Sequence, residues 1–163
     1  MKGIVHIRID DRLIHGQVAA FWTNHFKATR IMVINDEVAV DEMQKSVLRM
    51  VAPASVRTSI ISKETAYKNI TAGKYEGQRV LVIMKNPKDI IDLINMGLDI
   101  KEINVGNMAS KEGTKQIKRS VSVTAEDVKA FRELVSRGVE VTSIMVPDES
   151  KTSIMDHIEK AGL

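Results

Sequence analysis

Seven short runs of β-branched and aliphatic residues alternate with longer stretches of helical patterning, and this alternation constrains the fold more than any other feature. The runs are Ile4–Ile9, Ile31–Asn35, Val56–Ile61, Val80–Met84, Ile100–Val105, Ser120–Val123 and Val139–Val146. Helical patterns lie near 16–26, 41–50, 63–72, 87–96, 124–137 and 150–161. Strand–helix–strand repetition at this spacing builds crossovers between parallel strands. Val80-Leu81-Val82-Ile83-Met84 and Ile31-Met32-Val33-Ile34 are wholly apolar, as strands covered on both faces must be. The expectation is an α/β fold: a single three-layer α/β/α domain over 1–163, with a mainly parallel central sheet of about six to seven strands. Asn86 before Pro87 reads as a helix N-cap, and Thr124 with Asp127 as a capping box. Gly97 and Gly138 read as helix stops. Met43 and Met50, seven apart in one helix, read as core.

Composition removes whole classes of chemistry. The chain has no cysteine, which excludes disulfides, thiolate nucleophiles and cysteine-ligated metals. It carries 24 Lys and Arg against 21 Asp and Glu, a net charge of +3, and only six aromatic residues, so no nucleic-acid partner is expected. The longest aliphatic run, Val80–Met84, is far short of the roughly 20 residues that span a bilayer. Met1-Lys2-Gly3-Ile4-Val5-His6 lacks the apolar stretch of a signal peptide, so a cytoplasmic location is expected. No phosphate-binding glycine motif and no histidine–carboxylate pair at metal-ligand spacing occurs; neither a cofactor nor a metal is expected.

In parallel sheets, sites form in loops beyond the carboxyl ends of the strands. Here those loops begin at Asp10, Asn35-Asp36, Ser62, Lys85-Asn86 and Gly106-Asn107-Met108. The first carries the densest chemistry: Asp10-Asp11-Arg12-Leu13-Ile14-His15-Gly16-Gln17-Val18. It joins a strand end to a helix start, whose free amides and dipole favour an anion. His15 is a candidate nucleophile toward phosphorus, and Arg12 can hold phosphoryl oxygens. Asp10 or Asp11 can fix the imidazole tautomer or orient Arg12. Gly16, lacking a β-carbon, lets a ligand approach the Gly16, Gln17 and Val18 amides. The residues alone weigh this evenly against a charged, solvated loop.

Other candidates have plainer readings. His6 alternates with Arg8 and Asp10 on one strand face and reads as a buried, hydrogen-bonded histidine. His25 and His157 read as structural. Asn35, Asp36, Asn107 and Met108 are candidates for the pocket rim, Met108 as a partner-facing apolar contact; Asn86 reads as a cap. Lys111–Arg119, the most basic stretch, is either a solvated loop or a docking rim for an acidic partner.

The segment RIDDRLIHGQV, followed by Trp22, resembles the active-site signature of the IIB components of the mannose/fructose/sorbose class of the bacterial phosphoenolpyruvate-dependent sugar phosphotransferase system. Further segments are similar in order along the chain: Ile31–Ala39, Met50–Pro53, Lys85-Asn86-Pro87, Ile103–Met108 and Ser120–Val123. The resemblance implies a central parallel sheet flanked by helices. It also implies that His15 accepts a phosphoryl group on Nδ1 from the phosphohistidine of a IIA component. The group then passes to a sugar entering through membrane IIC and IID components, with Arg12 assisting. Membrane association is then peripheral and through partners only. Asn107, where many mannose-type members have glycine, is similar to members associated with N-acetylgalactosamine. The rival reading is a non-catalytic module that senses a phosphorylated ligand through the same loop.

Overall fold

The computed structural model describes residues 1–163. Seven strands form one sheet in the order β3-β2-β4-β1-β5-β8-β9. They are β1 (Ile4–Asp10), β2 (Arg30–Ile34), β3 (Arg57–Ile61), β4 (Val80–Met84), β5 (Glu102–Asn107), β8 (Glu140–Ser143) and β9 (Thr152–Ser153). All neighbours run parallel except β9, which closes the β8 edge antiparallel. Two further strands, β6 (Lys115–Lys118) and β7 (Val121–Val123), pair antiparallel as a separate hairpin. No helix is long and apolar enough to cross a membrane.

Helices cover both faces. The first starts at Gly16, passes through a π turn (Val18–Trp22) and continues as α1 (Thr23–Phe26). With α2 (Asp36–Ala39) and α3 (Glu42–Val51) it packs on one face, where Val18, Trp22, Val38 and Leu48 meet Ile31, Val33, Leu81 and Ile83. The other face carries α4 (Lys63–Thr71), α5 (Pro87–Met96), α6 (Ala125–Ser136) and α7 (Ile154–Lys160) over Ile7, Ile9, Met32, Val82 and Val105. Strand β4 is buried at every position, which is why it contains no polar residue. Each such aliphatic side chain contributes about 1.5–3 kcal/mol by burial.

The caps behave as the sequence predicts. Asn86 accepts from the Asp89 amide with Pro87 in the first turn, and Thr124 with Asp127 forms a reciprocal capping box. Gly97 and Gly138 take positive φ at helix ends.

Several expectations need correction. Ser120–Val123 contributes to the hairpin rather than to the parallel sheet, and the basic stretch read as a loop contains its partner, β6. With Ile117 its one apolar residue, that strand shows no usable alternation. The stretch from 150 holds the edge strand β9 before its helix starts at Ile154. Met43 and Met50 are 80% and 84% exposed, not core; heptad spacing places them on one helical face, but Leu48 is on the face that packs inward.

The chain leaves β1 toward β2 on one side and leaves β5 toward β8 on the other. The carboxyl ends of β1 and β5 therefore flank the crevice where the winding direction reverses.

Candidate active site at the end of the first strand

Alternation along β1 puts His6, Arg8 and Asp10 on the face covered by the first helix, and Ile7 and Ile9 in the opposite core. Pairing of β1 with β5 jumps between Ile9 and Asp10, an irregularity that can turn a side chain away from the regular ladder. The chain then turns sharply, with the Leu13 amide donating to the Asp10 carbonyl at 2.9 Å. Leu13 has φ 61°, a left-handed conformation costing about 1–2 kcal/mol for a leucine. Its side chain is fully buried in the core beneath the first helix, which offsets that cost. The turn brings His15 back over Asp10.

Asp10 is the hub, and it is fully buried. His15 Nε2 lies 2.7 Å from Oδ2. Arg12 donates to Oδ1 from its amide at 3.1 Å and from Nε at 3.2 Å, and Arg8 Nη2 donates to Oδ2 at 3.3 Å. Burial alone would raise the Asp10 pKa. Hydrogen bonds from His15 and Arg12, with the charges of His15 and Arg8, outweigh it and hold the carboxyl below its usual range. An ionised Asp10 can only accept, so in the neutral ring the proton is assigned to Nε2 and the lone pair to Nδ1. The one group facing Nδ1 is the Gln17 amide, at a long 3.4 Å.

The surrounding donors are open. Arg12 is 41% exposed and reaches Gln17 Oε1 at 3.4 Å. The Gly16 and Val18 amides donate to no acceptor of the protein. A β-carbon at Gly16 would meet nothing within 4 Å, so internal packing does not require glycine there. The helix they begin contains a π turn, a distortion frequent at functional sites. Together these groups can receive a tetrahedral oxyanion beside Nδ1.

The other expected site residues make no hydrogen bond to the His15 ring. Asp11 accepts from Asn107 Nδ2 at 2.7 Å and from the Ala109 amide at 2.6 Å; it ties the β1 loop to the end of β5 and touches neither the ring nor a guanidinium. Asn107 is therefore a loop tie. Asn35 caps α2 through the Val38 amide, and Asp36 accepts from the Lys63 amide. Met108 is buried: it bridges to Val121, and the β6–β7 hairpin covers it, which corrects its reading as a partner-facing contact. Lys118 donates to the Ser143 carbonyl at 3.0 Å.

His6 is stacked 4.4 Å from the Phe26 ring and 5.1 Å from Trp22. Burial first, then the charges of Arg8, His25 and Lys151, push its pKa down to about 3. Its Nε2 has no partner, so stacking stands where a hydrogen bond was expected. His157 Nε2 meets the Thr152 hydroxyl at 2.9 Å, and His25 packs edge-on against Trp22 and Phe26. Sequence reasoning missed Arg8. The signal was present: a charge in register with Asp10 on a strand buried by a helical layer must find a partner.

Residues 4–163 match the family described as the sorbose subfamily IIB component of the phosphotransferase system. The chain is 41% identical over 150 residues to the fructose-specific EIIB component of Bacillus subtilis, covering 92% of each. It is 40% identical over 153 residues to the mannose-specific EIIAB component of Escherichia coli; the match covers 94% of this chain and spans about half, 47%, of that relative. The crystal structure of the IIB domain of the sorbose permease from Klebsiella pneumoniae superposes with a TM-score of 0.92 at 36% identity, over 98% of both chains. With the fold and nearly the whole sequence in agreement, this chain belongs to the sorbose subfamily of IIB components of the sugar phosphotransferase system.

Proposed function

We propose that residues 1–163 act as one IIB domain that carries a phosphoryl group on His15. It takes the group from the phosphohistidine of a IIA component and passes it to a sugar presented by membrane IIC and IID components. One observation carries this reading: Nε2 of His15 is committed to a buried, ionised Asp10 at 2.7 Å, while Nδ1 has only a long amide contact.

In the first step the donor N–P bond breaks and a bond forms between phosphorus and His15 Nδ1. Nε2 keeps its proton, and the positive charge that develops on the ring faces the Asp10 carboxylate. Negative charge spreads over the three equatorial oxygens, where Arg12 and the Gly16 and Val18 amides can meet it; Gln17 and its amide line the same edge. In the second step a sugar hydroxyl attacks phosphorus, the Nδ1–P bond breaks and the ring recovers its lone pair. The hydroxyl proton leaves to a base outside this chain. The reaction class is protein-Nπ-phosphohistidine–sugar phosphotransfer, in the cytoplasm, with membrane contact through partners alone. No metal or cofactor enters, because the activated group arrives already on nitrogen.

The test is phosphoryl transfer from labelled phosphoenolpyruvate through the general phosphotransferase proteins and a mannose-class IIA component. The expected product is acid-labile label mapped by mass to His15. Stable phosphate binding with no covalent label, given a competent IIA, would replace the carrier reading with that of a sensor.

A further inference from the structure

We propose that Arg8 is a positioning residue for this transfer: a fixed counter-ion that holds the Asp10 carboxylate in place while Arg12 swings onto the phosphoryl group. The proposal rests on the reading of His15 as the carrier.

Arg8 has no exposed surface, so it cannot touch a phosphoryl group directly. Its guanidinium is boxed. Nη1 donates to the Ile144 carbonyl at 3.2 Å, and Nη2 donates to the Met145 carbonyl at 3.1 Å and to Asp10 Oδ2 at 3.3 Å. The Trp22 ring lies against it at 4.7 Å. A β-carbon at Gly106 would fall 2.0 Å from its Cζ, so only glycine leaves room for it there. The acceptors are themselves anchored. Asn104 donates to the Ile144 carbonyl at 3.0 Å and accepts from the Ile144 amide, and Trp22 Nε1 donates to the Met145 carbonyl at 3.1 Å.

Asp10 thus has two cations of opposite character. Oδ2 is shared by Arg8 and His15, with Arg12 Nη2 reaching it only at 3.4 Å, and Arg8 is fully enclosed; Oδ1 is taken by Arg12, which is 41% exposed. When Arg12 turns to an incoming phosphoryl group, Arg8 still balances the buried carboxylate. The Asp10–Nε2 bond, and with it the bare Nδ1, survives the encounter. The charged and titratable groups around the pair are Arg12, His15 and, facing Arg8, Glu149 and His6.

Two readouts test this. Nitrogen-15 NMR of the His15 ring needs no phosphoryl donor, and wild type is expected to show the Nε2–H tautomer. Gly106→Ala removes no charged group. It is expected to displace the guanidinium, give a mixed tautomer, and lower kcat for phosphoryl acceptance about tenfold with little change in KM for phospho-IIA. Arg8→Gln is expected to lose more. Its pH profile for acceptance moves to higher pH, because a carboxylate without Arg8 holds a second proton on the ring more strongly. Arg8→Lys is expected to restore the profile in part. If Arg8→Gln does not fold, the comparison of Asp10→Asn with Arg8→Gln/Asp10→Asn decides, since a residue acting only through Asp10 adds less than about twofold in that background. A further tenfold loss there would overturn the proposal. So would a folded Gly106→Ala protein with wild-type spectrum, rate and pH profile beside a labelled wild type. An unlabelled wild-type His15 would defeat the carrier reading, and this proposal with it.

Discussion

Two charged clusters sit along the same carboxyl edge of the sheet, and they do different things. Over β1 and β5, Arg8, Arg12 and His15 converge on Asp10. Over β2, β3 and β4, Lys63 Nζ lies 2.6 Å from Asp92, 3.3 Å from Asp89 and 3.7 Å from Asp36. The bonds to Asp92 and Asp89 raise the Lys63 pKa against the opposing effect of its partial burial. Asp89 is also raised: its own burial, with the like charges of Asp92 and Asp36, outweighs Lys63. Three carboxylates share one cation, so Lys63 gains from the arrangement while Asp89 does not. In the second cluster the ionic groups lock helix starts together and face one another. In the first, Nδ1, two backbone amides and an exposed guanidinium remain open around a rigid buried hub. Charge density does not distinguish a reactive corner from a structural one; open valence at a fixed position does.

His15→Ala should break the comparison most completely. Labelling is expected to vanish, while thermal unfolding stays within a few degrees of wild type, because the ring is not core. Asp10→Asn removes the negative charge and puts a donor NH2 in place of one accepting oxygen, so the tautomer is no longer fixed; transfer should slow by about a hundredfold, measured as the rate of label acceptance from phospho-IIA.

Acid tests the buried face behind the site. His6 stays neutral in the fold down to about pH 3, whereas the unfolded chain binds that proton near about 6.5. Stability should therefore fall as pH drops through this window, by up to about 1.4 kcal/mol per unit. Asp10, depressed in the fold, adds loss in the same direction below about pH 4 as it protonates. Urea unfolding at pH 7 and pH 5 measures the first slope, and His6→Phe, which keeps the stack, should flatten it. Lys63→Ala sharpens the contrast from the other side: about 1–2 kcal/mol of stability lost, with transfer within about twofold of wild type.

What could be read from the sequence follows the distance over which each feature is determined. Val80–Met84 and the helix from Pro87 to Met96 have the bounds their own residues imply, since apolar runs and caps are local. Asp10, Arg12 and His15 were legible because a strand end and a helix start lie within six residues of one another. Arg8 was legible only in part: its register with Asp10 is local, but the carbonyls of Ile144 and Met145 that enclose it are 136 and 137 residues away. Asp11 looked equivalent to Asp10, yet one step along the chain turned it to Asn107 on the neighbouring strand. Met108 was misread because the hairpin that buries it has almost no strand signal of its own.

The position of the phosphoryl group on the His15 ring tests the central claim most directly. Nitrogen-15 and phosphorus-31 NMR of the phosphorylated protein would locate it. The account predicts phosphorus on Nδ1, with the Nε2 proton still present and hydrogen-bonded to Asp10. Phosphorus on Nε2 would contradict it, because that nitrogen is the one Asp10 holds.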